Sequence, residues 1–151
     1  MNATPGYVTP APDPAPGVRY VGFWARVGAS LIDTLAMMFV VVPLLLWYFG
    51  SDWAFATGIA AFTINYVLPG VAVVAFWIAR GATPGKMAIS AIIVDADTFA
   101  EPTPGKLVVR YLGYYVSLIP LGVGLLWVAF DARKQGWHDK IANTVVIKGR
   151  R

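Results

Sequence analysis

Arg26 and Asp33 are ionisable residues inside an otherwise apolar stretch, WARVGASLIDTLAMMFVVVPLLLWYF. A charge in so long an apolar run is costly, so it marks either a paired structural site or a path for an ion or proton. Seven positions are two helical turns, which puts the pair on one helix face, roughly 10 Å apart along the axis. Two chemistries follow. In the first, Arg26 extends to lipid headgroups and Asp33 pairs with a basic residue to hold the helices together. In the second, Asp33 is a proton or cation site. The first is favoured, because charges inside a membrane commonly pair.

Other polar residues carry weaker signals. Asn65, with Thr63, is a possible partner for Asp33 from the second apolar run; plain interhelical hydrogen bonding is the favoured role. His138-Asp139 joins the single histidine to a carboxylate. One His and no Cys cannot make an ordinary zinc site, and a general base here has no legible nucleophile or oxyanion hole. Asp139 is therefore expected to cap or salt-bridge a short helix at the membrane surface. Asp95 and Asp97 suit a turn better than a hard-cation site. RGATPGKM has three residues between Gly81 and Gly85-Lys86, then Met87, where a phosphate-binding loop needs four and then Ser or Thr. Nucleotide binding is rejected, and no catalytic residue, metal or cofactor is assigned.

Composition says what must position these residues. Of 151 residues 58% are hydrophobic and 13% charged, well away from the roughly 45–50% and 25% of soluble domains. So small a soluble fold could not hide that much apolar surface, so the bilayer is the expected solvent. There is no cysteine, which excludes disulfides and thiolate chemistry. The +4 net charge fits anchoring beside anionic lipid. Nucleic-acid binding is not expected, because the basic residues are scattered between apolar runs.

The chain divides into a Pro-rich tail, 1–18, expected to be disordered and cytoplasmic; a membrane domain, 19–148; and a basic end, 149–151. Span one is read from about Trp24 to Phe49, with a kink at Pro43 and aromatic belts at Tyr20, Phe23 and Trp24 and at Trp47, Tyr48 and Trp53. Gly50-Ser51-Asp52 is a tight turn. Span two runs from about Phe55 to Ala79, with a bend at Pro69-Gly70. TPGK occurs at Thr83–Lys86 and Thr103–Lys106, and Thr-Pro predicts a helix start at each. Residues 91–94 and 144–147 read as short β-strands that pair with each other. Small residues four apart (Ala25/Ala29, Ala56/Ala60, Thr57/Ala61, Gly113/Ser117) predict close helix approach.

The third apolar run, Leu107 to Phe130, carries Pro120-Leu121-Gly122-Val123-Gly124 in its middle. None of the twelve Lys and Arg residues lies between spans one and two. If the third run crosses once, the last six end up outside, against the positive-inside rule; if it turns back at Pro120–Gly124, all twelve are inside. The second arrangement is favoured: an all-α membrane protein with two full spans, a re-entrant or interfacial helical hairpin in place of one tilted span, and a small cytoplasmic two-stranded pairing.

The chain resembles the RDD family of small bacterial membrane proteins over about residues 20–148. The resemblance lies in Gly22-Phe23-Trp24-Ala25-Arg26 with Ile32-Asp33, in Gly81–Lys86, in Ile93–Asp97 and in Trp137–Val146. Pro84 departs from it, where the family more often has an apolar residue. The family is named for one arginine and two aspartates, which match Arg26, Asp33 and Asp139. It has no settled common activity, though transport has been proposed for some members. The expected function is a non-catalytic scaffold, assembly or accessory subunit in the bacterial cytoplasmic membrane, acting within a homo-oligomer or a larger membrane complex. The alternative is an oligomeric cation- or proton-coupled transporter using Asp33.

Overall fold

The computed structural model describes residues 17–149, so the Pro-rich tail reading lies almost wholly outside the described residues. The first apolar run forms one helix, α1 (Phe23–Phe49), which passes Pro43 without a break. A 3-10 helix over Gly50–Phe55, longer than the expected tight turn, follows it. The second run begins later than expected, with α2 (Gly58–Phe62), and ends in α3 (Leu68–Arg80). Between them Thr63–Val67 is a π-helical turn. It precedes Pro69-Gly70, where a bend was expected and which lies in the first turn of α3. Proline has no N–H to donate and its ring crowds the carbonyl four residues back, here Asn65; widening the preceding turn relieves both.

Both TPGK copies start helices: α4 (Pro84–Ala88) and α5 (Pro104–Leu118), each with Pro in its first turn. The third apolar run is broken. After α5 the chain passes Leu121 and Gly122, both at positive φ, into α6 (Val123–Leu126) and a 3-10 turn over Trp127–Ala129. The two arms are bent by 115°. A short α7 (Trp137–Ile141) precedes the last strand.

The strands pair as expected. β1 (Ala91–Asp95) runs antiparallel to β2 (Thr144–Lys148), with Ile93 opposite Val146 and Val94 opposite Val145. Both faces are covered, which is why each strand is an unbroken apolar run rather than an alternating one. Ala91, Ile93 and Val146 pack on Trp77 and Leu107, while Val94, Val145 and Ile147 pack on Tyr20 and Phe99. The free edge of β2 is closed by the entering chain, where Val21 N donates to Val146 O and Lys148 N to Arg19 O.

The long helices are clothed differently. Phe23–Phe55 and Gly58–Arg80 are long and apolar enough to cross a membrane, yet little of either is buried. Phe39 is 82% exposed, and Trp24 and Trp47 are each 80% exposed. Apolar surface on that scale is stable against lipid or a partner, not against water.

Candidate functional site

Where α1, α4, α5 and α7 meet, the charged side chains converge. Asp139, the third residue of α7, is fully buried. Its Oδ2 accepts from Arg26 Nη1 at 2.6 Å and from the Gly136 N–H at 3.0 Å. Its Oδ1 is paired with Arg110 Nη1. Arg26 also donates through Nε to Val21 O at 3.1 Å and through Nη2 to Lys134 O at 2.6 Å. Arg110, equally buried, donates to Thr144 Oγ1 on β2 at 2.7 Å. One carboxylate thus joins two helices that are far apart in sequence, caps a third and reaches the sheet through Arg110. Burial alone would raise the Asp139 pKa, but Arg110 and then Arg26 hold it well below the usual carboxylate range.

Asp33 has a different role from the one expected. Among the described residues it pairs with no basic side chain. Its Oδ2 accepts from Thr83 Oγ1 at 2.5 Å and its Oδ1 from the Gly85 N–H at 2.6 Å. Asp33 therefore caps α4 from another helix, supplying the acceptor that Thr83, which donates its own hydroxyl to Asp33, does not provide. Arg26 and Asp33 do share a face of α1, but that face meets α7 at one end and α4 at the other. The approach is very close: a Cβ on Gly85 would sit 2.0 Å from Ala29 O. Ala29 and Gly113, each from an expected small-residue pair, serve contacts inside the chain; Gly113 lets α5 pass the backbone of His138.

Asn65 is not part of the site. Its Nδ2 donates to Ala61 O at 2.9 Å, inside its own helix, so it makes neither the Asp33 contact nor the interhelical one. The Asp95 carboxylate accepts from the Asp97 and Thr98 N–H groups at 3.0 and 3.2 Å and pairs with Lys106, the turn role expected of it. Among the described residues, no three His, Asp or Glu side chains converge on a metal position.

His138 stacks on Tyr114 with ring centres 4.0 Å apart. Its Nδ1 lies 3.5 Å from Ser117 Oγ and its Nε2 3.5 Å from Asp139. The order resembles a hydrolytic triad, but the wiring differs. Ser117 gives its proton to Gly113 O at 2.9 Å and accepts from the His138 backbone N–H at 3.1 Å. Burial pushes the imidazole down to about 3, so near pH 7 it is neutral and a weak base.

Four participants were not assigned a role from the sequence: Arg110, Lys86, Trp77 and Tyr114. Arg110 carried a signal, as a lone charge near the start of the third apolar run. Trp77, near the end of the second apolar run, is buried, with Arg110 and Lys86 lying against its ring at 5.3 and 5.4 Å.

Residues 20–143 match the RDD family, a span that holds Arg26, Asp33, Arg110 and Asp139. The chain belongs to the RDD family. An uncharacterized protein of Rickettsia prowazekii (strain Madrid E) is 28% identical over 172 aligned positions, covering 87% of this chain and 97% of that protein. No solved structure matches. In this RDD protein, the arginine and two aspartates matched to the family name do not form one triad. Arg26 pairs with Asp139, and Asp33 caps α4. The family and the two apolar helices together point to a membrane protein.

Proposed function

We propose that this RDD protein is a non-catalytic scaffold or accessory subunit of a complex in the bacterial cytoplasmic membrane. In this reading α1 and α2–α3 span the bilayer, the α5–α6 arms form a re-entrant hairpin, and both termini are cytoplasmic. The observation that carries it is how the charged groups are engaged. Both Asp33 oxygens accept short hydrogen bonds, and both Asp139 oxygens are held by arginine. A carboxylate that exchanges a proton or cation must let its partners go on each cycle; breaking one buried pair costs about 3–5 kcal/mol. That suits a rigid brace better than a transport site. The outward-facing apolar side chains then supply surface for lipid and for a partner.

The test is purification in mild detergent with mass measurement of the intact particle. A stoichiometric complex with a different membrane protein is the expected result. A homo-oligomer that moves protons or cations in reconstituted vesicles, with flux lost in Asp33→Asn at normal abundance, would replace the scaffold by a transporter.

A further inference from the structure

The buried cluster has one cation too many. Arg26, Arg110 and Lys86 stand against two carboxylates, Asp33 and Asp139, while the neighbouring His138 is neutral. Both arginines are used on Asp139, and Asp33 is occupied by Thr83 and Gly85. Lys86 is only 7% exposed. Among the described residues its ammonium has no ion pair or hydrogen bond, and it lies over the face of Trp77 at 5.4 Å, with Tyr114 nearby. Burying a cation without an anionic partner is expensive.

Lys86 borders a cavity of about 440 Å³ between α1 and the α5–α6 bend. That volume lies within the roughly 300–1,000 Å³ typical of ligand sites. One part of the wall is polar, from Arg26, Lys86, Tyr114 and His138. Apart from the hydroxyls of Ser30 and Thr34 the rest is apolar and includes Leu31 and Leu121, which are 61% and 97% exposed. Inner cations and an open apolar rim complement an amphiphile with an anionic head.

We propose that this cavity holds an anionic phospholipid of the surrounding bilayer, its phosphate beside Lys86 and Arg26 and an acyl chain in the groove between α1 and α6. The lipid would supply the missing negative charge, and Gly122 and Leu125 would border its chain. The proposal requires that α1 sit in lipid and is independent of the scaffold role.

The test uses the full chain, delipidated in mild detergent. Thermal unfolding and native mass spectrometry are recorded with phosphatidylglycerol, with phosphatidylcholine of the same acyl chains, and with inorganic phosphate alone. The expected result is one retained phosphatidylglycerol per protomer and an upward shift in melting temperature that the other two additions do not produce. Lys86→Gln should bind phosphatidylglycerol about tenfold more weakly, as loss of one charge-assisted contact implies. Leu125→Trp, which fills the groove and leaves the charges intact, should also weaken binding and carries the test if Lys86→Gln does not fold. Equal binding of phosphatidylcholine, or undiminished phosphatidylglycerol binding in the variants, would overturn the proposal. A full shift with inorganic phosphate alone would make this a free-anion site and overturn the lipid assignment.

Discussion

Asp33 and Asp139 look equivalent as residues, but their partners differ in charge, and so should the consequences of neutralising them. Asp33 receives two neutral donors. Asparagine keeps one acceptor oxygen, so Asp33→Asn should cost about 1–3 kcal/mol, the scale of a hydrogen bond to a charged group. Asp139 is the shared anion of two arginines. Asp139→Asn strands two buried cations and should cost about 3–5 kcal/mol. Thermal unfolding in detergent of both variants checks the order; a larger loss at Asp33 would contradict the partner assignment. His138 supplies a pH signature. Its pKa falls from 6.5 to about 3 on folding, so between those values the unfolded chain binds more protons. Stability contributed by the neutral imidazole is present above pH 6.5 and is lost as pH falls towards 3. Between pH 7 and 5 the melting temperature of the wild type should therefore drop more steeply than that of His138→Gln. Parallel curves would mean that His138 is not buried neutral.

At the scale of elements, the duplicated TPGK motif provides its own control. Gly85 and Gly105 occupy the same position in their helices, just after the first proline. A Cβ on Gly85 would collide with the α1 backbone, whereas a Cβ on Gly105 would meet nothing within 4 Å. Gly85→Ala should force α4 away from α1, loosen the Asp33 cap and cost about 1–3 kcal/mol or more. Gly105→Ala should be neutral or stabilise by up to about 1 kcal/mol, because alanine favours the helix. Denaturation of the two variants side by side measures the difference. Equal effects would show that α4 does not dock on α1 as described. The same motif thus starts both helices, but only one of them carries a tertiary contact at its glycine.

For the whole molecule, the question is how many times the chain crosses. Antiparallel pairing of β1 with β2 brings a segment before the third apolar run against one after it. A 15-residue α5 is roughly 22 Å long, short of the ~30 Å apolar layer, and the chain then bends by 115°. Reporters active on only one side of the membrane, placed at Asp52 and after Arg151, should give opposite results. A C-terminal reporter on the same side as Asp52 would require the third run to cross once and would contradict the strand pairing.

The sequence by itself determined what depends on local composition and period. Two runs are long and apolar enough to cross, Thr-Pro starts two helices, Pro120–Gly124 breaks the third run, and two β-branched tetrapeptides become strands. The sequence also picked out Arg26, Asp33 and Asp139 as residues that matter. What it could not determine was what each one touches. A seven-residue spacing places Arg26 and Asp33 on one face of a helix but does not say what lies opposite that face. Only the tertiary structure decided that Arg26 meets a carboxylate 113 positions away, that Asp33 caps α4, and that Arg110 completes the brace. The physical reason is that these contacts depend on how closely backbones approach at Gly85 and Gly113, and that distance is a property of the packed helices rather than of any local stretch of chain.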